Sequence, residues 1–287
     1  MSSGHVPRQM DGHFCAFSFV DRITSLQQGS SIRGHYTIPP KVDAFPVSLV
    51  AEAVGQLAAW AAMTAVDFTH RPVAGIAGRI ELLSIVQPGQ VLDLHAELES
   101  VDIDTVGYCG TACVDGRPVI RLLDCVGPMV PLNDFDEPDA LRERCGLLRT
   151  VGATAGAFLG LPALVLERGP CEQGQLARAV LRVPSGAPFF ADHFPRRPVF
   201  PGTLLMQASM QTAAMLVEGF CGNGAAWLPR RISDMKLRSF ISPGVTLNLE
   251  ARVTVSSERG VSVATESRID QRLIGSADVQ FSPETDS

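Results

Sequence analysis

Two stretches of the chain are apolar over several helical turns. Residues 45–66 read FPVSLVAEAVGQLAAWAAMTAV, and residues 203–217 read TLLMQASMQTAAMLV. Both are rich in Ala, Leu and Met, which predicts two buried helices. Elsewhere the pattern alternates. Residues 91–127 and 245–281 switch between apolar and polar positions, broken by turn signals such as Asp115-Gly116, and predict strands. Residues 14–38 read as two further strands around a Gln-Gln-Gly-Ser turn. Thr203 is placed to cap the second helix. Residues 132–150 are acidic and then mixed in charge, with Pro138 at a helix start and Gly146 near its end, so they predict a linker with a short helix. The first dozen residues, the Gly/Ala-rich stretch 152–160 and the tail from Ser282 predict little regular structure.

The two apolar helices belong to a repeat. Residues 45–56 and 200–211 share five of 12 positions, and residues 82–94 and 237–249 share six of 13. Both matches fall in the same register, Pro46 with Pro201 and Pro88 with Pro243, 155 residues apart. Two separated matches at one offset imply an internal duplication. Each unit is a central helix followed by alternating strands, and a sheet with one apolar face is covered by laying that helix across it.

Composition narrows the function. The chain has 287 residues, 46% hydrophobic and 19% charged, enough for a core and against disorder. A net charge of −6 gives no basic footprint for nucleic acid. No early run has signal-peptide form and no stretch approaches a membrane span of roughly 20 apolar residues, so a cytoplasmic protein is expected. The seven cysteines are scattered without a zinc pattern and read as free, mostly buried thiols. His13 reads as a surface residue and His35 as structural.

The chemistry concentrates in residues 189–211, FFADHFPRRPVFPGTLLMQASMQ. Pro195, Pro198 and Pro201 exclude regular helix and central strand around His193. The free amides at Gly202 and the helix start favour an oxygen with partial negative charge. His193, Phe194, Pro195, Pro198, Val199, Pro201, Gly202 and Leu204 resemble the signature of the hot-dog β-hydroxyacyl-ACP dehydratases, GHFPxxPVxPGVL, which leads into a helix bearing a catalytic Glu or Asp. Val20-Asp21-Arg22-Ile23 resembles the family's opening strand. Two positions depart from the pattern. Asp192 replaces a glycine, and Gln207, whose amide cannot deliver a proton as a carboxylic acid does, stands where the carboxylate belongs.

The resemblance implies an α+β double hot dog: an N-terminal hot dog over 1–131, the linker over 132–154 and a C-terminal hot dog over 155–287, paired as a covalent pseudo-dimer. In that family the histidine comes from one hot dog and the carboxylate from its partner's helix. Glu52 occupies the position of Gln207 in the first unit, while the 155-residue offset places Ile38 opposite His193 and Val47 opposite Gly202. The expectation is therefore one complete site, His193 with Glu52 and Gly202, and one dead site. Removing water from a 3-hydroxyacyl thioester needs a base at C2, for which a neutral imidazole suits, and an acid at the C3 hydroxyl, a protonation state that burial favours in a carboxyl group. An amide at Gly202 would polarise the thioester carbonyl. Gln207, Gln56 and Gln211 are expected to make structural hydrogen bonds, Gln207 in the vacated site.

No metal or organic cofactor is implied beyond the phosphopantetheine that carries the substrate on an acyl carrier protein. Arg196, Arg197, Arg230 and Arg231 either face that acidic carrier or are solvated surface. The substrate tunnel is expected between the two central helices. Glu rather than Asp resembles the branch that dehydrates without isomerising the double bond. Fatty acid, polyunsaturated fatty acid or polyketide assembly fits the reading. A hot-dog thioesterase or enoyl thioester hydratase, and a non-catalytic carrier-binding subunit of a synthase, stay open as alternatives. So does further pairing of the pseudo-dimer.

Overall fold

The computed structural model describes residues 15–218 and 226–284, so His13 and Cys221 lie outside the described residues. The first half opens with the hairpin β1 (Arg22–Gln27) and β2 (Ser31–Thr37), followed by helix α1 (Val47–Ala65). Strands β3 (His70–Pro72), β4 (Ile76–Leu82), β5 (Val91–Val101), β6 (Thr105–Val114) and β7 (Arg117–Pro131) complete it. A short 3-10 turn and helix α2 (Pro138–Thr150) lead on. The second half repeats the plan with β8 (Leu166–Glu172), β9 (Leu176–Arg182), helix α3 (Gly202–Val217), β10 (Trp227–Leu237), β11 (Thr246–Ser257), β12 (Gly260–Ile269) and β13 (Arg272–Pro283).

The strands form one antiparallel sheet in the order β1-β2-β5-β6-β7-β4-β10-β13-β12-β11-β9-β8, with β3 paired to β7. The halves meet at β4 and β10, where Ile80 faces Ile232 and Ala77 faces Met235. Those two pairs exchange under the 155-residue offset, so a pseudo-twofold axis passes between them. Each central helix lies in the curve of its own half-sheet. Leu49, Leu57 and Ala61 of α1 and Leu204, Ala213 and Leu216 of α3 are almost wholly buried. Each large aliphatic side chain so removed from water contributes about 1.5–3 kcal/mol. This is the double hot dog the sequence implies.

The repeat is not uniform. Thr37 of β2 pairs Val91, and Arg182 of β9 pairs Thr246, so upstream of the helices the halves are offset by 145 residues while downstream they are offset by 155. The second half carries ten extra residues between its hairpin and its helix. Ile38 therefore matches Val183, each donating its amide to the corresponding carbonyl, Gln90 and Val245. The expectation that Ile38 replaces His193 is corrected: the first half lacks the whole histidine loop.

Four smaller expectations also change. The N-cap of α3 is Pro201, and Thr203 lies inside the first turn. Strand β13 continues through Ser282 to Pro283, where Leu228 and Trp227 pair with it. Helix α1 is long and apolar enough to cross a membrane by length and composition, and it is instead mostly buried under the sheet. Of the six described cysteines only Cys125 and Cys145 are buried.

Candidate active site

The ten-residue insertion builds the histidine loop. Phe189 and Phe200 anchor its two ends in the core. Between them His193 Nδ1 lies 2.8 Å from the carbonyl of Val199, and the Val199 amide donates back to the His193 carbonyl at 3.2 Å. A carbonyl only accepts, so Nδ1 carries the hydrogen and Nε2 of the neutral ring keeps its lone pair. Phe17 meets the imidazole edge-on at 5.5 Å and Phe194 stacks on it at 4.2 Å. Burial pushes the His193 pKa below its ordinary value, and the nearby Arg71 adds to that, while the Glu52 charge and the hydrogen bond to Val199 oppose it.

Glu52 reaches the same place from α1. Its Oε2 accepts from Thr203 Oγ1 at 2.6 Å, a bond from one half to the other, and its Oε1 accepts from Gln56 Nε2 at 3.0 Å, one turn along the helix. Gln56 also donates to the Phe17 carbonyl at 2.8 Å and accepts from the Phe19 amide at 2.8 Å. It thus binds residues 17–19 as a strap across the site. Gly202 is the first residue of α3, where a helix leaves its amides without intrahelical partners. A Cβ there would lie 3.2 Å from Leu237 and 3.3 Å from Ala74, so only glycine fits without displacing neighbours.

Glu52, His193, Gly202 and Thr203 line one cavity of about 220 Å³. From them it runs along α1, past Gly55, Ala59, Trp60 and Met63, beneath β4, β6 and β7. It touches α3 only at its first turns, so it lies between α1 and the first half's sheet rather than between the helices. The side chains explain the difference. Gly55 leaves room on α1, whereas its counterpart on α3 is Met210, beside which the cavity is only about 20 Å³.

Several residues of the site carry no signal in the repeat. Asp192 Oδ2 accepts from the amides of Ala16 and Phe17 at 3.2 and 2.9 Å, clamping the strap onto the histidine loop. Burial raises the Asp192 pKa. Arg71 of β3 is ion-paired with Asp136 of the linker, and its guanidinium carbon sits 3.7 Å over the Phe194 ring. Arg144 of α2 also lines the cavity. The linker therefore contributes to the site as well as joining the halves. A hydroxyl recurring at Ser48 and Thr203 is the signal that could have flagged Thr203.

The counterpart site is empty of such pairing. Ser48 Oγ and Gln207 Oε1 are both buried without a hydrogen-bond partner, so the bond expected at Gln207 Oε1 is not formed. Gln211 is exposed, unlike Gln56. Arg196 is held by Glu137 and the Asn133 carbonyl, Arg197 lies over Phe135 and Phe240, and Arg230 bonds Ser282. These three arginines are anchored to the protein, and none of them hangs free over the loop.

The double hot-dog fold itself is shared with solved structures. A putative oleoyl thioesterase from Lactobacillus plantarum superposes with TM-score 0.60 at 10% identity, over 90% of this chain and 98% of that one. The dehydratase domain of PpsC from Mycobacterium tuberculosis superposes with TM-score 0.52 at 16% identity, over 93% and 100%. Sequence similarity is sharper. A profile of the ApeI-like family, described as ApeI dehydratase, matches residues 170–274. The 3-hydroxyacyl-[acyl-carrier-protein] dehydratase FabZ of Ruminiclostridium cellulolyticum is 31% identical over 111 residues, 38% of this chain and 78% of that protein. The chain belongs to the FabZ family of dehydratases.

Proposed function

We propose that this chain dehydrates 3-hydroxyacyl thioesters carried on the phosphopantetheine of an acyl carrier protein, to 2-enoyl thioesters, in fatty acid, polyunsaturated fatty acid or polyketide assembly. The observation that carries this reading is the joining of the halves in one cavity, with Glu52 bonded to Thr203 and facing His193. His193 Nε2 takes the C2 proton. The C2–H electron pair moves into the C2–C3 double bond, and the C3–O bond breaks. Glu52 delivers a proton to the departing hydroxyl, which leaves as water. Thr203 is a hydroxyl rotor that donates to a carboxylate or accepts from a carboxylic acid, so it serves both states of Glu52. The Gly202 amide meets the thioester oxygen as negative charge develops there. The acyl chain lies along Gly55 and Ala59. Nothing in this sequence of steps requires a further reactant.

The test is to incubate the purified chain with a 3-hydroxyacyl thioester, on a carrier protein and on a pantetheine mimic, and follow loss of one water by mass. The reverse hydration is run in parallel. Interconversion abolished in both His193→Ala and Glu52→Gln establishes one composite site. Release of free thiol instead would identify a thioesterase. Tight carrier binding without interconversion would identify a non-catalytic subunit.

A further inference from the structure

The cavity holds a buried charge pair that the proposed chemistry does not use. Arg71 and Asp136 keep only 12% and 8% of their side-chain surface exposed. Burying such a pair costs several kcal/mol per ion before the partners attract, so its presence in a reaction cavity calls for a reason. Neither residue belongs to the repeat. The counterpart of Arg71 is Ala226, and Asp136 lies in the linker.

The reason lies in a three-layer stack. The Arg71 guanidinium carbon is 3.7 Å from the centre of the Phe194 ring, and the His193 imidazole stacks on Phe194 at 4.2 Å, the planes 21° apart. Two groups so close to one ring centre take its opposite faces. A fixed cation thus lies roughly 8 Å from the imidazole, across apolar atoms that screen it poorly. Phe135, from the same turn as Asp136, packs edge-on against Phe194 at 5.5 Å and holds the middle layer in place.

We propose that Arg71, oriented by Asp136, is a positioning residue for His193: through Phe194 it holds the imidazole plane and disfavours the imidazolium. This deepens the proposed dehydratase reading and rests on it for the role of His193. Among the described residues, the charged groups that line the cavity with His193 are Glu52 on α1, Arg71 on β3, Asp136 before α2, Arg144 on α2 and Asp192 on the loop itself. Glu52 favours a protonated ring and Arg71 opposes it. Asp136 tempers Arg71, so the two members of the pair act on His193 with opposite sign.

That opposition gives the test. The His193 ring signal, identified by its loss in His193→Ala, is titrated by NMR in the full chain, alongside the pH profile of thioester hydration. Arg71→Met should raise the His193 midpoint by roughly one pH unit, and the acid limb of hydration should move with it. Arg71→Lys should restore most of the shift. Asp136→Asn should move the midpoint the other way, downward. A midpoint unchanged in a folded Arg71→Met, or unchanged or raised in Asp136→Asn, overturns the proposal. If Arg71→Met does not fold, Asp136→Asn decides alone. Midpoints that move as stated in a protein with no hydration activity would retain the stack and refute the dehydratase reading. Activity with unmoved midpoints would do the reverse.

Discussion

Thr203, in the first turn of α3, donates its hydroxyl to Oε2 of Glu52 on α1 across 2.6 Å, and this bond ties the two halves together in the cavity that also holds His193. Leaving a buried oxygen without its hydrogen-bond partner costs about 1–3 kcal/mol. Thr203→Val keeps the shape and removes the donor. Turnover should fall roughly 10- to 100-fold with little change in KM, because the loss falls on proton delivery rather than binding. Thr203→Ser should keep most activity. Steady-state kinetics on a pantetheine thioester reads both.

His193 titrates below the ordinary histidine value because burial disfavours its charged form. The ring is therefore neutral, as a base must be, through neutral pH, and the acid limb of kcat/KM should lie below about pH 6.5. The same displacement affects stability. The unfolded chain takes up this proton first as pH falls, so the folded state loses stability from the unfolded value down to the folded one and nothing above it. Urea midpoints of wild type and His193→Phe should diverge only on the acid side. An acid limb above pH 7 would remove His193 as the free base.

Gly55 opens the cavity that Met210 closes in the other half. A Cβ at Gly55 would meet only the Tyr108 hydroxyl, at 3.5 Å, an ordinary contact. Gly55→Ala should therefore fold and gain about 0.5–1 kcal/mol from helix propensity. Gly55→Met should block the channel, abolishing turnover of long acyl chains while short ones still react. Equal loss at every chain length would place the acyl group elsewhere.

The central helices, the first hairpin, strands β5–β7 and strands β11–β13 were legible because each segment obeys one period, whereas β3, β4 and β8–β10 were not read. The meeting of His193 and Glu52 in one cavity followed from Glu52 standing in register with Gln207. The offset itself misled where it was carried past its matched blocks. Strand pairing shows 145 residues at Thr37 and Arg182, and no residue between the hairpin and helix announces the insertion. Arg71, Asp136 and Arg144 were invisible for a different reason. Each is an ordinary charged residue locally; the pairing of β3 with β7 brings Arg71 to the cavity, and the docking of the linker brings Asp136 and Arg144. Asp192 read as a departure, whereas it holds the strap.

The strap gives a prediction of its own. Asp192→Gly restores the family's residue and leaves the amides of Ala16 and Phe17 without their acceptor. Each such loss costs about 1–3 kcal/mol where water does not replace it. Phe17, which meets His193 edge-on, should loosen. Hydrogen exchange at the Phe17 amide should quicken and turnover should drop, while Asp192→Asn, which keeps an acceptor, should lie between. Unchanged exchange in Asp192→Gly would show that Gln56 holds the strap by itself.

Asp21 offers a test of the fold that is independent of any activity. Its carboxylate is buried at the start of β1 and accepts from the Thr37 amide at 2.6 Å. Burial outweighs that bond and raises its pKa from 3.8 to about 6. Between those values the folded protein keeps a proton that the unfolded chain has released, so stability falls as pH rises from about 4 to about 6. Above that window the full penalty remains, up to about 3 kcal/mol for a shift of this size. Asp21→Asn retains an acceptor for Thr37 and never ionises. It should match wild type near pH 4 and exceed it by 1 kcal/mol or more, to order of magnitude, at neutral pH. Urea unfolding across that range measures the difference directly. Parallel curves for the two proteins would mean that Asp21 ionises in the folded state as readily as in water, and that the Thr37 bond, rather than burial, governs it.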